Sequence, residues 1–480
     1  MKKLFATLIT ICLLASALSF TAFAAEETTD EPAAGVVLRL CATEKGGWND
    51  IKIQDYTNFE EGWNAAVTLA RNDDSMKNYS RVVVNFYADW NANDEGEFGD
   101  SDGLGFRFST ICVPEDVRIT LNLNNHTINR GLKEYEYDGE VMYFHEDADV
   151  VINDGTITGG WSCNGGGGIH ANNASVVLNN VNLVGNRTTD DDGAGIALHD
   201  DSSLIMTGGS ISNNIIDGDG EPRGAGLYLD SSAAELNNVT FSGNKSRNGA
   251  AIGSTCSSII TLNECIIENH NQDFKSNHTL IFSDQWGRDV YYLNKCIIRN
   301  NDINAGDLVG LETDDFTMNE CIISGNKAFA VFQGDSGWFE ETNFYINNTQ
   351  IIDNTAVVAG SDAMRISVNA TVYVFEKCVF NNNQRADYDD FYCNDEIDMT
   401  FKDCDFGDST FTGKEFMKFS GNNAAASIFG EGSLSMIVAL LAFIVAVAAL
   451  IVNISSKNKK TAVSEKSAVE ETKTEPEDEE

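Results

Sequence analysis

Basic residues and proline are both scarce in this chain. It has 32 Lys and Arg against 73 Asp and Glu, which gives a formal net charge of −41, and it has only 4 prolines in 480 residues. A surface of this charge repels nucleic acid and anionic membranes, and it disfavours polyanionic glycans unless cations bridge the two. We therefore expect no nucleic-acid partner.

Long uncharged apolar runs are also scarce, and the first lies at the N-terminus. Lys2 and Lys3 precede an apolar run from Leu4 to Phe20, and Ala22-Phe23-Ala24 follows it. This arrangement is typical of a secretory signal peptide, here residues 1–24. The next segment, 25–116, is predicted to be a leader and a small cap region with one amphipathic helix and one buried strand.

The second apolar run, residues 434–454, contains no charged residue and is long enough to cross a bilayer as a helix. Lys457, Lys459 and Lys460 follow it, and basic residues hold that end of such a helix in the cytoplasm. The chain is thus predicted to be a single-pass protein of the cell membrane, with its N-terminal ectodomain outside. A tether at 411–433 and a disordered cytoplasmic tail at 455–480 complete this organisation, and a buried core helix is the alternative for the apolar run.

Between these ends, one short pattern recurs along most of the chain. Leu236 to Asn244 represents it: an apolar anchor is followed by small or apolar residues and, eight residues on, often by Asn. The period is about 28 residues, too short for two packed helices, and the units are rich in Val, Ile, Thr, Asn and Gly, which favours short strands and tight turns. We expect an all-β fold, a single-stranded parallel β-helix of about eleven coils over 117–410. The expected anchors are Leu123, Ile152, Leu178, Met206, Leu236, Leu262, Leu293, Met318, Ile346, Phe375 and Phe401.

Two kinds of box alternate within the repeats. One is rich in glycine, as in Gly193-Ala194-Gly195-Ile196 and Gly224-Ala225-Gly226-Leu227, and the other ends in Asn, as in Phe241 to Asn244 and Ile323 to Asn326. Together they resemble the repeats of polymorphic outer-membrane protein type adhesins, within the pectin-lyase-like superfamily of right-handed parallel β-helices. The resemblance implies a right-handed coil and is more specific for fold than for activity. At the C-terminal end this chain departs from those adhesins, which have a β-barrel there.

Stacked coils bring residues that are far apart in the sequence within about 4.8 Å of one another. The Asn eight residues after each anchor is therefore predicted to bond from coil to coil in a structural ladder. Five cysteines stand three residues after their anchors, in a column filled elsewhere by Val181 and Val239, so this column is predicted to point inward. We expect free buried thiols there, with disulfides or a zinc site as the alternatives. The five are Cys265, Cys296, Cys321, Cys378 and Cys404.

The richest cluster of chemically active residues lies in loops that enter three consecutive coils. Acidic calcium ligands beside an Arg or Lys base are the requirement for β-elimination of uronates, whereas solvated loop charges are the alternative. The ligand-binding candidates are Arg187, Asp217, Asp219, Glu221 and Arg223. The candidate ligands for calcium, the one cofactor that this cluster suggests, are Asp190, Asp192, Asp217 and Asp219.

A second candidate patch joins His199 to Asp230 on the next coil, with Asp200, Asp201 and His170 nearby. Two carboxylates about 5 Å apart suit a retaining glycosidase. A polar strand face without a catalytic role is the alternative. The Asn-Thr-Asp, Asp-Asp, Gly-His-Gly and Arg-Ile-Lys set expected of polygalacturonases is not found.

The sequence therefore predicts a membrane-anchored, adhesin-like cell-surface protein that binds an extracellular glycan or protein along the β-helix. Two alternatives remain. One is a surface polysaccharide lyase or glycoside hydrolase on the same scaffold, for which no catalytic set is identified. The other is a passive structural stalk.

Overall fold

The structure, a computed structural model, describes most of the chain between residues 32 and 421. The predicted signal peptide, transmembrane helix and cytoplasmic tail lie outside the described residues, as does the second half of the tether. Within the described residues, no helix combines the length and apolar character that crossing a bilayer requires. The described residues are 32–47, 49–92, 106–107, 110–218, 220–271, 279–284, 286–303, 306–312, 314–335, 342–356, 372–383, 391–392, 398–407, 409–412 and 414–421.

A small antiparallel sheet leads into the stack. In it, β1 (Leu38–Glu44) pairs with both β2 (Asp50–Tyr56) and β3 (Tyr79–Phe86). On its other edge β3 pairs in parallel with the first strand of the repeats, Val84 facing Leu121. The parallel stack therefore begins within the predicted cap region, earlier than residue 117.

One helix, α1 (Phe59–Ala70), covers this end of the core and confirms the predicted amphipathic helix. It begins where the Asn58 side chain accepts a hydrogen bond from the Glu61 amide, which satisfies one of the free N–H groups of the first turn. Its buried face, including Trp63 and Val67, joins the same core as the first strands. The apolar interior is thus closed at this end of the stack.

Beyond the cap, the turns of the chain supply short strands to three large or medium-sized sheets and to two parallel pairs. The first are β4 (Trp90–Asn91), β5 (Phe106–Arg107), β6 (Thr110–Val113), β7 (Arg118–Asn122), β8 (Thr127–Asn129), β9 (Met142–Phe144), β10 (Asp149–Thr158), β11 (Trp161–Ser162), β12 (Ile169–Asn172), β13 (Ser175–Val184), β14 (Arg187–Thr189), β15 (Ile196–His199), β16 (Ser203–Thr207), β17 (Ser210–Ser212) and β18 (Ile215–Asp217). The middle turns contain β19 (Leu227–Asp230), β20 (Ala233–Asn237), β21 (Thr240–Ser242), β22 (Ile252–Thr255), β23 (Ile259–Asn263), β24 (Ile266–Glu268), β25 (Thr279–Ser283), β26 (Val290–Asn294), β27 (Ile297–Arg299), β28 (Asp307–Glu312), β29 (Asp315–Asn319) and β30 (Ile322–Ser324). The last turns contain β31 (Lys327–Ala328), β32 (Ala330–Asp335), β33 (Asn343–Asn347), β34 (Gln350–Ile352), β35 (Thr355–Ala356), β36 (Val372–Glu376), β37 (Val379–Asn381), β38 (Phe391–Tyr392), β39 (Asp398–Lys402), β40 (Phe411–Thr412), a 3-10 turn (Lys414–Phe416) and β41 (Met417–Ser420).

Sheets A, B and C run along the stack. Sheet A, the largest, contains all the expected anchors except Leu123. Sheet B has ten strands, β5, β6, β9, β12, β15, β19, β22, β25, β28 and β32, and all of its pairs are parallel except β5 with β6. Sheet C contains β11, β14 and β18. The two parallel pairs are β31 with β35 and β38 with β40. The fold is therefore an all-β parallel solenoid, as expected.

The solenoid has about nine turns, fewer than the eleven expected. The expectation counted every anchor in sheet A, and the last two, Phe375 and Phe401, do pair there. Their turns, however, contribute no strand to sheet B within the described residues. The repeat in the sequence marks one strand per turn and carries no information on whether the rest of the turn closes.

The register of sheet A confirms ten of the anchors and corrects one. Ile152 faces Leu178 on one side but Leu121, not Leu123, on the other. Both leucines are fully buried, because alternate residues of this strand point inward, and either fits the apolar pattern. Leu123 instead packs over Gly155, where an added Cβ would lie 2.4 Å from the Leu123 Cβ.

The cysteine column points inward, as predicted. Its five cysteines are free and buried. Each thiol donates to a carbonyl of the preceding turn, as when Cys265 Sγ bonds the Leu236 oxygen at 3.3 Å and Cys296 Sγ bonds the Leu262 oxygen at 3.4 Å. The thiols therefore add a weak hydrogen bond between turns.

Two asparagine ladders run along the solenoid, and the sequence predicted one of them. In the buried inner ladder, Asn214 Nδ2 donates to Asn244 Oδ1 at 3.0 Å, and the pattern recurs from Asn186 to Asn383. The outer ladder uses the residue directly after each anchor, and Asn263 Nδ2 donates to Asn237 Oδ1 at 2.9 Å. Asparagine side chains therefore bond one turn to the next on both the inner and the outer face of sheet A.

The outer ladder is interrupted at Thr207, which pairs with Asn179 and Asn237 in neighbouring turns. We expect Thr207→Asn to raise the free energy of unfolding by about 1 kcal/mol, because the new amide can bond both neighbours at a partly exposed position. Urea unfolding of the variant and of Thr207→Ser would measure the change. A stability no higher than that of the serine control would contradict continuity of the ladder.

Candidate ligand-binding site

The candidate loops lie between sheet C and sheet B, where the glycine boxes let successive backbones approach closely. A Cβ added at Gly195 would lie 2.4 Å from the carbonyl oxygen of Gly226, and one at Gly168 would lie 2.5 Å from that of Gly195. Any side chain larger than hydrogen would push the turns apart at this bend. The glycine boxes therefore bring the loops after β14 and β18 into register.

On the sheet C side, Arg187 and Asp217, two members of the predicted loop cluster, form an ion pair. Arg187 Nε donates to Asp217 Oδ2 at 2.9 Å, and Nη2 bonds the same oxygen. The guanidinium also lies over the ring of Trp161, 4.1 Å from its centroid, and Trp161 Nε1 donates to Thr189 Oγ1 at 2.9 Å. Arg187 is therefore held between an aromatic ring and a carboxylate, and it is only about a third exposed.

Two tyrosines on the preceding turn extend this aromatic surface. Tyr135 is 58% exposed and Tyr137 is 64% exposed. Between them, Glu136 forms a parallel bridge with Ser162, and its amide donates to the Trp161 carbonyl at 2.9 Å. We call the surface formed by Tyr135, Tyr137, Trp161, Arg187 and Asp217 the sheet C patch.

Arg223 lies on the sheet B side of the same loops. Its Nη2 donates to Asp192 Oδ2 at 2.9 Å, its Nη1 bonds Asp284 Oδ2, and its guanidinium lies 4.9 Å from the Tyr228 ring centroid. Burial alone would lower the pKa of Arg223, but the charge of Asp192, its hydrogen bond to the guanidinium and the charge of Asp284 outweigh burial and raise that pKa. Arg223 therefore stays protonated and cannot act as a base.

The candidate calcium ligands are engaged by donors of the protein. Asp190 Oδ1 accepts from the Gly220 amide at 3.3 Å, and Asp192 and Asp217 accept from Arg223 and Arg187. Among the residues that the structure describes, no three His, Cys, Asp or Glu are placed to hold one metal ion. Asp219 lies outside those residues.

The predicted first cluster is therefore divided by the loops. Arg187 pairs with Asp217, Arg223 pairs with Asp192 and Asp284, and the two groups share no residue. Glu221 is exposed, and its carbonyl accepts from Asn248 Nδ2 at 3.2 Å.

The second predicted patch does bring its residues together. His199 Nδ1 lies 3.9 Å from Asp230 Oδ2, and the His170 ring lies 4.9 Å from the His199 ring. Burial, with the nearby His199, lowers the pKa of His170 to about 3. His170 is therefore neutral at physiological pH. Asp200 and Asp201 are turn residues with φ of 54° and 63°.

Sequence reasoning missed the aromatic residues and Asp284. Trp161 stands one repeat before Arg187, in the same column of sheet C, so the period of the repeat could have identified it. Asp284 lies two turns beyond Arg223, and the turns between them differ in length. That contact had no signal in the sequence.

Comparison with known families agrees with the fold. Residues 208–371 match the family model described as a right handed beta helix region. Neither the curated proteins nor the solved structures compared with this chain gave a match.

Proposed function

This chain is a right-handed parallel β-helix protein, and from that premise we propose that it binds a neutral extracellular glycan at the sheet C patch, as an adhesin-like protein of the cell surface. The observation that carries the proposal is the exposure of Tyr135 and Tyr137 beside the Arg187–Trp161 stack. Exposed aromatic rings offer an apolar face to a sugar ring, and tyrosine hydroxyls can bond its polar edge.

The charge of the patch supports a neutral ligand. Arg187 is paired with Asp217, so the pair supplies both donors and acceptors for sugar hydroxyls without excess charge. The chain has a formal net charge of −41, which repels an acidic glycan. A neutral sugar avoids that repulsion.

Binding without cleavage fits the site better than the lyase alternative. Proton abstraction needs a neutral Arg or Lys beside the substrate, and Arg187 and Arg223 are both in ion pairs with Asp217, Asp192 and Asp284. A passive stalk, in turn, gives no reason for a cluster of exposed aromatic side chains on one turn. We further propose that the signal peptide and the apolar run at 434–454 place this β-helix outside the cell membrane.

The proposal is tested by presenting the purified full-length chain to an array of neutral and acidic glycans, with calcium and with a chelator. We expect retention of a neutral glycan in both conditions. The double variant Tyr135→Ala/Tyr137→Ala should weaken binding about tenfold to hundredfold, since each stacked ring contributes roughly 0.5 to 1.5 kcal/mol.

Trp286→Ala is the matched control, because Trp286 is 71% exposed and lies outside the patch. This variant should bind like the unmodified chain. Equal binding by the tyrosine double variant would refute the site. Release of unsaturated uronates or of new reducing ends would support the enzyme alternative instead.

A further inference from the structure

A buried polar cluster lies inside the solenoid, where the chain passes from sheet B to sheet A. Asp289 stands directly before β26, and it is fully buried together with Ser254 of β22 and Tyr291 of β26. A side-chain oxygen at the position before the strand bonds one turn to the next. Ser258 Oγ accepts from the Ser232 amide at 3.2 Å, and Asp289 Oδ1 accepts from the Ser258 amide at 2.7 Å. An aspartate at this position therefore has a second oxygen, Oδ2, that the turn does not use.

The second oxygen of Asp289 ends a row of four oxygen atoms. The Tyr291 hydroxyl lies 3.1 Å from the Phe282 carbonyl oxygen and bonds Ser254 Oγ, and Ser254 Oγ bonds Asp289 Oδ2. These three contacts need three hydrogens, but two hydroxyl groups supply only two, and a carbonyl supplies none. The third hydrogen can come only from the carboxyl group of Asp289. We call Phe282, Tyr291, Ser254 and Asp289 the Asp289 network.

The acidic groups around Asp289 also favour its protonated form. Burial is the main cause that raises its pKa, and the negative charge of Asp284 adds to it. On the next turn Asp314 is also fully buried, and a charge on Asp289 would raise the pKa of Asp314 further. Asp314 accepts from the amides of Asp289 at 2.9 Å and Glu312 at 3.1 Å, so it has donors without a proton of its own. Burial keeps Tyr291 neutral by raising its pKa.

The basic side chains of this region are paired with other carboxylates. Arg288, the residue before Asp289, donates to Asp315 through Nε at 3.0 Å and through Nη2 at 2.8 Å. Arg223 bonds Asp284. Both guanidinium groups are thus balanced by carboxylates that are less buried than that of Asp289.

We propose that the Asp289 network is a pH-sensitive switch, in which Asp289 is protonated in the folded chain in mildly acidic medium and ionised in alkaline medium. As the pH rises, the carboxyl proton passes to water, the Ser254 hydroxyl turns to the carboxylate and the Tyr291 hydroxyl turns to Ser254. The Phe282 carbonyl then loses its hydrogen bond, and with it one link between β25 of sheet B and β26 of sheet A. This inference is independent of glycan binding, which involves none of these residues.

The switch weakens the fold as the pH rises. The pKa of Asp289 is raised to about 6 in the folded chain, whereas an aspartate in an unfolded chain has a pKa near 3.9. Between these two values the folded chain binds a proton that the unfolded chain does not, so the stabilisation is complete below about pH 4 and is lost as the pH rises through about 6. A pKa difference of one corresponds to a tenfold change in an equilibrium constant, so the expected loss is about hundredfold.

The test is urea unfolding of the full-length chain and of Asp289→Asn at pH 4, 5, 6, 7 and 8. Asparagine has the shape of the protonated acid and does not titrate, since its Oδ1 can accept from the Ser258 amide and its Nδ2 can donate to Ser254. We expect the folding equilibrium constant of the unmodified chain to fall about hundredfold relative to that of the variant between pH 4 and pH 7. A ratio that is constant with pH, or that changes in the opposite direction, would overturn the proposal.

Tyr291→Phe is the matched variant, because it keeps Asp289 buried and removes two of the three contacts that need a hydrogen. Phenylalanine suits this position, since Phe316 follows Tyr291 in the same inward column. The Ser254 hydroxyl alone can then supply the remaining contact with an ionised Asp289. We expect the folding equilibrium constant of this variant to change at most about tenfold over the same pH range. A hundredfold change would show that burial alone holds the proton, and it would overturn the role of the network.

Infrared spectroscopy gives a second reading that does not depend on the folding of Asp289→Asn. A protonated carboxyl group has a C=O stretching band that is separate from the bands of a carboxylate. The difference between the spectra of the unmodified chain and of Tyr291→Phe at pH 5 should contain such a band from the unmodified chain, and this band should disappear by pH 8. Absence of the band at pH 5 would contradict a proton on Asp289.

Discussion

Replacing Asn214 with alanine is expected to lower the free energy of unfolding by about 5 kcal/mol, since four hydrogen bonds between buried groups are lost at roughly 1 kcal/mol or more each. Asn214 Oδ1 accepts from the backbone amide and the Nδ2 of Asn186, and its own Nδ2 donates to the Leu183 carbonyl and to Asn244 Oδ1. All of these atoms lie in the interior, where alanine offers no substitute.

Asn263→Ala is the matched control for this prediction. Asn263 also bonds one turn to the next, through Asn237 and Asn294, but it belongs to the partly exposed outer ladder. Water can replace its partners, and we expect a loss below about 1 kcal/mol. Urea unfolding would measure both variants. Equal losses would show that burial does not control the strength of the ladders.

The fold could be predicted because one short pattern determines one strand in each turn. The inner ladder followed from the same pattern, since Asn stands at a fixed distance after each anchor. The number of turns did not follow, because the anchors mark strands of sheet A and do not show which turns also supply a strand to sheet B. Leu121 and Leu123 could not be distinguished either, since a strand buried on one face is apolar at every second residue.

Contacts in the candidate site were predictable where the two residues lie in neighbouring turns, and not where they lie further apart. Arg187 and Asp217 occupy neighbouring strands of sheet C and follow from the period. The contact of Arg223 with Asp284 joins two turns that are not adjacent, so the period does not place the two residues side by side. Chemistry alone also grouped Arg187 with Arg223, although the two guanidinium groups have separate partners: Asp217 and Trp161 for Arg187, and Asp192, Asp284 and Tyr228 for Arg223.

His270 provides the second large effect, because it occupies one position of the inner ladder in place of asparagine. Its Nδ1 lies 2.9 Å from Asn301 Oδ1, and its Nε2 lies 3.3 Å from Asn244 Nδ2. The neutral tautomer that carries its proton on Nδ1 fits both contacts, donating to Asn301 and accepting from Asn244. If the proton were on Nε2 instead, Nε2–H and the Asn244 Nδ2 group would both be donors and would face each other. Burial lowers the pKa of His270 to about 4.

The free energy of unfolding should therefore depend on His270 below pH 6.5 but not above it. Between about pH 6.5 and pH 4, the unfolded chain binds a proton at this histidine and the folded chain does not, so stability falls as the pH falls, by up to about 3 kcal/mol. We expect His270→Asn to remove this loss, because asparagine occupies the same ladder position in the neighbouring turns and does not titrate.

The decisive quantity is the difference in stability between the two proteins at each pH. Burial raises the pKa of Asp289 to about 6, which opposes the histidine effect because the stability it contributes is lost as the pH rises. That contribution is common to both proteins and cancels in the difference, as does that of His170. Urea unfolding at pH 7, 6, 5 and 4 should show the variant gaining on the unmodified chain at each step. A difference that stays constant over this range would mean that His270 takes up its proton inside the folded ladder.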